Sequence, residues 1–217
     1  MIKAIIFDFW NTLAYSKARK NIIVEIGKMF DLMNKKFWYK PIEKGIMTEE
    51  FANKREALTK LCKIIGVEPT ENTINTLTKL YSSGGIKLFS DTIPTLKNLK
   101  GKFKLVIISN TDCFSAKEFY SLGLGEYFDL VLFSCHSGLL KPDNRLFQDV
   151  LDEFRLNSKE VMMVGDNFHD DIAPALRLGM DAVLIKRAAE NELSWKEYVK
   201  YDKTVNNLEE LQKYLKN

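Results

Sequence analysis

Apolar residues follow two rhythms along this chain. Ala4-Ile5-Ile6-Phe7 is a continuous apolar run with β-branched residues at its centre, the pattern of a strand buried on both faces of a parallel sheet. It breaks off at Asp8. Similar runs recur at Phe103–Ile108, Phe128–Phe133, Val161–Val164 and Ala182–Ile185, with a short one at Thr204-Val205. Between them, helices are expected over Asp91–Lys100, Ser115–Leu122, Asp143–Phe154 and Asp171–Leu178, and a last one over Asn207–Lys216. Such alternation implies a parallel sheet covered on both faces. Glu190–Lys203 carries the weakest pattern, with Trp195 and Tyr198 expected to pack it down.

Tyr15–Phe89 interrupts this alternation. Ile22, Ile23, Ile26, Met29, Phe30 and Met33 recur at helical spacing, predicting a helix from Ala18 to about Lys36. Pro41 and Gly45 read as punctuation. Thr48 reads as the cap of a second helix running to Ile65, with Glu49 and Glu50 in its first turn and Gly66 as its stop. Pro69-Thr70-Glu71 opens a third, which ends before Ser82-Ser83-Gly84-Gly85. An all-helical insertion is therefore expected over 15–89, within an α/β domain made of 1–14 and 90–217. Its hinges are expected at Ala14–Ser16 and Ser82–Gly85, where small residues absorb backbone rotation cheaply.

The ends of the strands hold the candidate chemistry. Asp8 follows the first strand, Ser109-Asn110 the second and Gly165-Asp166 the fourth, with Asp170-Asp171 just beyond; Lys141-Pro142-Asp143 follows the third after a short loop. Open α/β sheets bind ligands at the carboxyl ends of their strands.

In this order and spacing the chain resembles the haloacid dehalogenase-like hydrolases. Their motifs are a nucleophilic Asp, a Ser or Thr, a Lys and a Gly-Asp…Asp acidic pair. The resemblance implies a Rossmann-like doubly wound parallel sheet with a small all-α cap inserted after the first motif. It implies Asp8 as nucleophile, Ser109 and Lys141 as catalytic groups, and Thr12, Ser109, Asn110 and Lys141 as the phosphate-binding set. A Mg²⁺ ion would be held by Asp8, the backbone carbonyl of Trp10 and Asp166, with Asp171 holding the ion's waters. Asp170 competes with Asp171 on spacing alone; the run Asp171-Ile172-Ala173-Pro174-Ala175 through Gly179-Met180 matches the family pattern and favours Asp171.

The departure is at Trp10. Family phosphatases usually carry a second Asp there, which protonates the leaving oxygen and then activates water. Tryptophan has no such chemistry, a deficit of ~10²–10⁴-fold unless another group replaces it. Asn11 stands where the family prefers Gly, and Asn is the side chain that best tolerates a left-handed turn. Three readings stay open: a Mg²⁺-dependent phosphatase of a small phosphorylated metabolite, a 2-haloacid dehalogenase, or a binding protein that has lost catalysis. Dehalogenases of this family carry an aromatic residue at the Trp10 position but dispense with the metal and usually lack the Gly-Asp. His136 and His169, beside the third and fourth motifs, are the two histidines that could supply a proton.

Bulk properties narrow the partners. The chain has 217 residues, a net charge of +3 and no basic block, so neither nucleic acid nor an anionic membrane is implied. No apolar run approaches the ~20 residues of a membrane span. Cys62, Cys113 and Cys135 form no paired motif and suit reduced thiols. With the N-terminus entering a strand directly, a cytoplasmic monomer or homodimer is expected.

Overall fold

The computed structural model describes residues 1–17, 21–81, 85–187 and 200–215. Strand β1 (Ala4–Phe7) is wholly buried. It leads through the Asp8 loop to β2 (Ala14–Ser16), then to helices α1 (Ile22–Met29), α2 (Lys40–Ile46), α3 (Lys54–Ile65) and α4 (Glu71–Tyr81), and to β3 (Ile86–Leu88). Alternation resumes with α5 (Thr92–Leu99), β4 (Lys104–Ser109), α6 (Cys113–Ser121), β5 (Leu130–Phe133), α7 (Ser134–Ser137) and α8 (Asn144–Phe154). The rest is β6 (Val161–Gly165), α9 (Ala173–Arg177), β7 (Asp181–Ile185), β8 (Thr204–Val205) and α10 (Gln212–Leu215).

Six strands form one sheet in the order β5-β4-β1-β6-β7-β8, every pair parallel. The strand order reverses direction around β1, the position at which such sheets open a crevice. Phe7 is level with Ile107 and with Val164. The register therefore brings the ends of β1, β4 and β6, and with them Asp8, Ser109 and Gly165, to one edge. Alternation sorts the strand side chains onto two faces. Ile6, Val106, Ile108 and Met163 pack beneath Leu146, Phe147 and Val150 of α8. Ile5, Phe7, Leu105 and Ile107 pack with Leu96 of α5 and Phe119 of α6, in a cluster that continues into Ile26, Leu58, Leu61 and Leu77 of the inserted helices.

Segment 15–89 differs from the expected all-helical insertion in several respects. First, it is not all helical. Ala14–Ser16 pairs antiparallel with Ile86–Leu88, and Lys17 N donates to Gly85 O at 2.8 Å. The two ends of segment 15–89 thus run side by side as a paired ribbon, which includes the Ala14–Ser16 joint expected as a hinge; residues 82–84 of the other expected hinge lie outside the described residues. Three-residue strands are too short to show alternation. Second, Pro41 and Gly45 lie inside α2 instead of interrupting it. Proline is tolerated in a helix's first turn, where its missing N–H has no partner to lose. Gly45 permits close packing: a Cβ there would stand 2.9 Å from Leu61 Cα of α3, and filling that space costs ~1–3 kcal/mol.

Third, α3 starts at Lys54, not near Thr48. Asn53 Oδ1 accepts from Glu56 N at 3.0 Å, while Glu56 reaches back to Ala52 N. This cap outcompetes Thr48, whose hydroxyl instead donates to Lys44 O at the end of α2. The first expected helix is shorter as well: Asn21 caps α1, which ends before Asp31 turns left-handed at φ 49°. Trp195 and Tyr198 lie outside the described residues. No described helix is long and apolar enough to cross a membrane.

Candidate active site

Asp8 is 5% exposed and directly follows β1, at the carboxyl edge of the sheet. Its amide donates to Val164 O at 2.9 Å, extending the sheet by one bond. The chain then turns back on itself. Leu13 N and Ala14 N both donate to Phe9 O, and Asn11 adopts the left-handed φ of 56° that its side chain tolerates. This turn carries Thr12 Oγ1 to 3.3 Å from Asp8 Oδ2, donating. Trp10 is half-buried, its ring edge-on to Phe9 at 5.1 Å.

Groups carried at or beyond the ends of β4, β5 and β6 gather around this carboxylate. Ser109 Oγ donates to Asp8 Oδ1 at 3.1 Å and itself accepts from Thr111 Oγ1 at 3.0 Å. Lys141 Nζ donates to Asp8 Oδ1 at 2.7 Å and to Asp171 Oδ1 at 2.5 Å. Asn110 Oδ1 accepts from Lys141 N at 2.8 Å, fixing the backbone that carries the lysine. Asp171, fully buried, also accepts from Asn167 N at 2.9 Å. It is packed against Gly165, where a Cβ would sit 2.6 Å from Asp171 Cβ, so this position excludes any side chain.

Burial pulls the Lys141 ammonium down, but Asp171 and Asp8 outweigh it and hold it well above the ordinary lysine value. Burial pushes Asp171 up, with Lys141 pulling against it and Asp8 adding to it. Carboxylate oxygens of Asp8, Asp166 and Asp171 all lie within 4.8 Å of one another. Three carboxylates this close together, two of them sharing the Lys141 ammonium, offer the hard oxygen donors that a divalent cation such as Mg²⁺ takes.

Other sequence candidates lie apart from this cluster. Asp170 does not join the acid trio; its Oδ2 accepts from Lys40 Nζ at 2.9 Å and from Asn167 Nδ2 at 3.2 Å. His136 stands 3.6 Å from Glu50, and His169 lies edge-on to Phe37 and Phe168.

Three further side chains reach the site that the sequence reading did not single out. Helix α2 brings Lys40, which donates to Lys141 O at 2.8 Å, and Glu43, whose Oε2 accepts from Asn110 Nδ2 at 3.3 Å and pairs with Lys40 at 3.0 Å. The signal for Glu43 was available: a carboxylate three positions before Ile46 on the helix's buried face. Arg187, beyond β7, donates to Thr12 O at 2.7 Å and to Asp91 Oδ2 at 2.7 Å, over the Phe89 ring. It braces the turn that follows Asp8, and no local pattern marks it.

The family model for haloacid dehalogenase-like hydrolases matches residues 2–179. The chain belongs to that family. Among curated relatives, a glyceraldehyde 3-phosphate phosphatase of Pyrococcus furiosus is 37% identical over 82 residues, covering 37% of this chain and 34% of that protein. A phosphoserine phosphatase of Thermus thermophilus is 41% identical over 70 residues, covering 32% and 28%. The matched stretches thus span about a third of these relatives' length. Solved structures match over nearly the whole fold. A HAD phosphatase of Thermococcus onnurineus aligns at TM-score 0.59 and 21% identity, covering 99% of this chain and 98% of that one. The L-2-haloacid dehalogenase of Xanthobacter autotrophicus aligns at 0.63 and 19%, with coverage of 99% and 98%. Phosphatases and dehalogenases share this shape, so the shape fixes the fold and the chemistry rests on the residues.

Proposed function

We propose that this haloacid dehalogenase-like hydrolase is a Mg²⁺-dependent phosphatase that cleaves a small alkyl phosphate through a phospho-aspartate at Asp8. The observation that carries this reading is the trio Asp8, Asp166 and Asp171, whose carboxylate oxygens lie within 4.8 Å of one another beside Lys141, a donor set that suits a divalent ion. Asp8, Asp166 and the Trp10 carbonyl would hold the ion, with Asp171 directing its waters. When bound, Mg²⁺ supplies positive charge between nucleophile and phosphoryl group.

The remaining work falls to the chain's own groups. Ser109 and Asn110 bind the phosphoryl oxygens, and Lys141 neutralises charge that develops on them. Thr12 and Ser109 orient the Asp8 carboxylate for in-line attack. The segment 15–89 acts as a cap, with α2 facing the crevice. The two relatives named above act, by their names, on phosphate monoesters of three-carbon compounds, the size of substrate proposed here.

Trp10 favours a second reading, a 2-haloacid dehalogenase, in which a halide leaves without protonation. The Gly165-Asp166 pair and the acid trio count against it, since a displacement by aspartate on carbon needs no cation. The test is hydrolysis of phosphate esters and 2-haloacids with and without EDTA. Phosphate release that vanishes with EDTA and returns with Mg²⁺ supports the phosphatase; EDTA-resistant halide release reverses the ranking.

A further inference from the structure

Cleaving an alkyl phosphate requires a proton for a strongly basic leaving oxygen, and Trp10 cannot give one. The buried carboxylates other than Glu43 are committed elsewhere. Asp8 and Asp171 share Lys141. Asp91 is held by Arg187 and Leu208 N, and Asp112 caps α6 through Phe114 N and Ser115 N. Asp170 is tied to Lys40 and Asn167.

Glu43 is 7% exposed and stands on the inserted segment, facing the phosphate-binding loop. Both of its polar contacts, from Lys40 and from Asn110, use Oε2; Oε1 is left without a partner among the described residues. Asn110 directly follows Ser109 and also holds the backbone of Lys141, so through Asn110 Glu43 adjoins the residues that bind the phosphoryl group. The charged and titratable groups around it are Lys40 and Tyr39 at the start of its own helix and Asp170 from the turn after β6.

We propose that Glu43 is the general acid and base of this enzyme, the group that replaces the aspartate missing at position 10. This rests on the phosphatase reading. In the first step Asp8 attacks phosphorus, the bond from phosphorus to the alkoxyl oxygen breaks, and the proton of Glu43 passes to that oxygen, releasing an alcohol. In the second, the Glu43 carboxylate takes a proton from water as the water oxygen attacks phosphorus. The bond to Asp8 then breaks, freeing phosphate, the Asp8 carboxylate and a protonated Glu43. A group with both duties works best when its two forms are close in energy. Burial pushes Glu43 up to about 6, with Lys40 pulling it back and Asp170 adding to the rise.

The test compares kcat/KM for an alkyl and an aryl phosphate from about pH 5 to 8 in the parent, Glu43→Gln and Glu43→Asp, each checked for its melting temperature. Taking the alkyl-to-aryl ratio cancels titrations common to both substrates. In the parent the ratio should be level below pH 6 and fall roughly tenfold per pH unit above it, because only the alkyl ester needs the proton. In Glu43→Gln the alkyl ester should lose ~10²–10³-fold and the aryl ester under ~10-fold, leaving a ratio that no longer varies with pH. Glu43→Asp should restore part of the pH-dependent ratio. Equal losses on both esters, or no loss on either, overturn the assignment. A parent inert towards both esters removes the phosphatase reading, and the role of Glu43 with it.

Discussion

Lys141 Nζ lies 2.7 Å from Asp8 Oδ1, joining residues 133 positions apart in the sequence. The same ammonium binds Asp171, and the side chains of all three are nearly inaccessible to water. Removing one partner of such a set leaves buried like charges facing each other. Lys141→Met should therefore cost about 3–5 kcal/mol in a urea titration, besides abolishing turnover. A variant as stable as the parent would mean that the carboxylates are protonated or hydrated in the fold, against the ionised cluster that the metal assignment needs.

Gly165 leaves room for Asp171 and for nothing else. Gly165→Ala should displace that carboxylate, raise the Mg²⁺ concentration needed for half-maximal rate and lower kcat by at least roughly tenfold. An unchanged Mg²⁺ titration would remove Asp171 from the metal's surroundings.

These strand-end groups were legible in the sequence because a buried parallel strand must stop abruptly where it becomes polar. The breaks at Asp8, Ser109 and Gly165 mark the carboxyl edge of the sheet. Asn11 was legible for a similar reason, since its side chain is the tolerable substitute for glycine at φ 56°. Residues 37–53 were not. Pro41 and Gly45 look like breaks in isolation, and only the partner helix carrying Leu61 shows why glycine is wanted there. Spacing left Asp170 and Asp171 open, because their difference lies in the direction each faces, towards Lys40 or towards Lys141. Arg187 acts on a residue 175 positions away, beyond the reach of any local pattern, and Glu43 acts on one 67 positions away, marked locally only by its place on the buried face of α2.

The raised pKa of Glu43 makes a prediction about stability as well as rate. The folded chain holds this proton up to about pH 6, whereas an unperturbed glutamate gives it up near 4.5. Between those values the native state binds more protons than the unfolded one. The stability this group contributes is thus complete below about pH 4.5 and is lost as pH rises through 6. A glutamine cannot ionise, so Glu43→Gln should exceed the parent by up to ~2 kcal/mol above pH 7, the gap closing near pH 4. A variant less stable than the parent at every pH would show that the ion pair with Lys40 outweighs the burial of the charge.

Trp10 offers a complementation experiment. If Glu43 has taken over the duty of the missing aspartate, Trp10→Asp in the Glu43→Gln background should regain alkyl-phosphate turnover by at least roughly tenfold. The single variant Trp10→Phe should keep near-parental rates, because the position then contributes only its main-chain carbonyl and an aromatic contact with Phe9. A large loss of rate in Trp10→Phe would assign the indole a part in the reaction.

The central claim is that Asp8 becomes phosphorylated, and rapid quenching in acid tests it most directly. A radiolabelled phosphate ester mixed with the enzyme and Mg²⁺, then digested and mapped, should leave label on the peptide that contains Asp8. Asp8→Asn should carry none while melting as a folded protein. Label on another residue, or steady-state phosphate release by Asp8→Asn at the parental rate, would contradict the account.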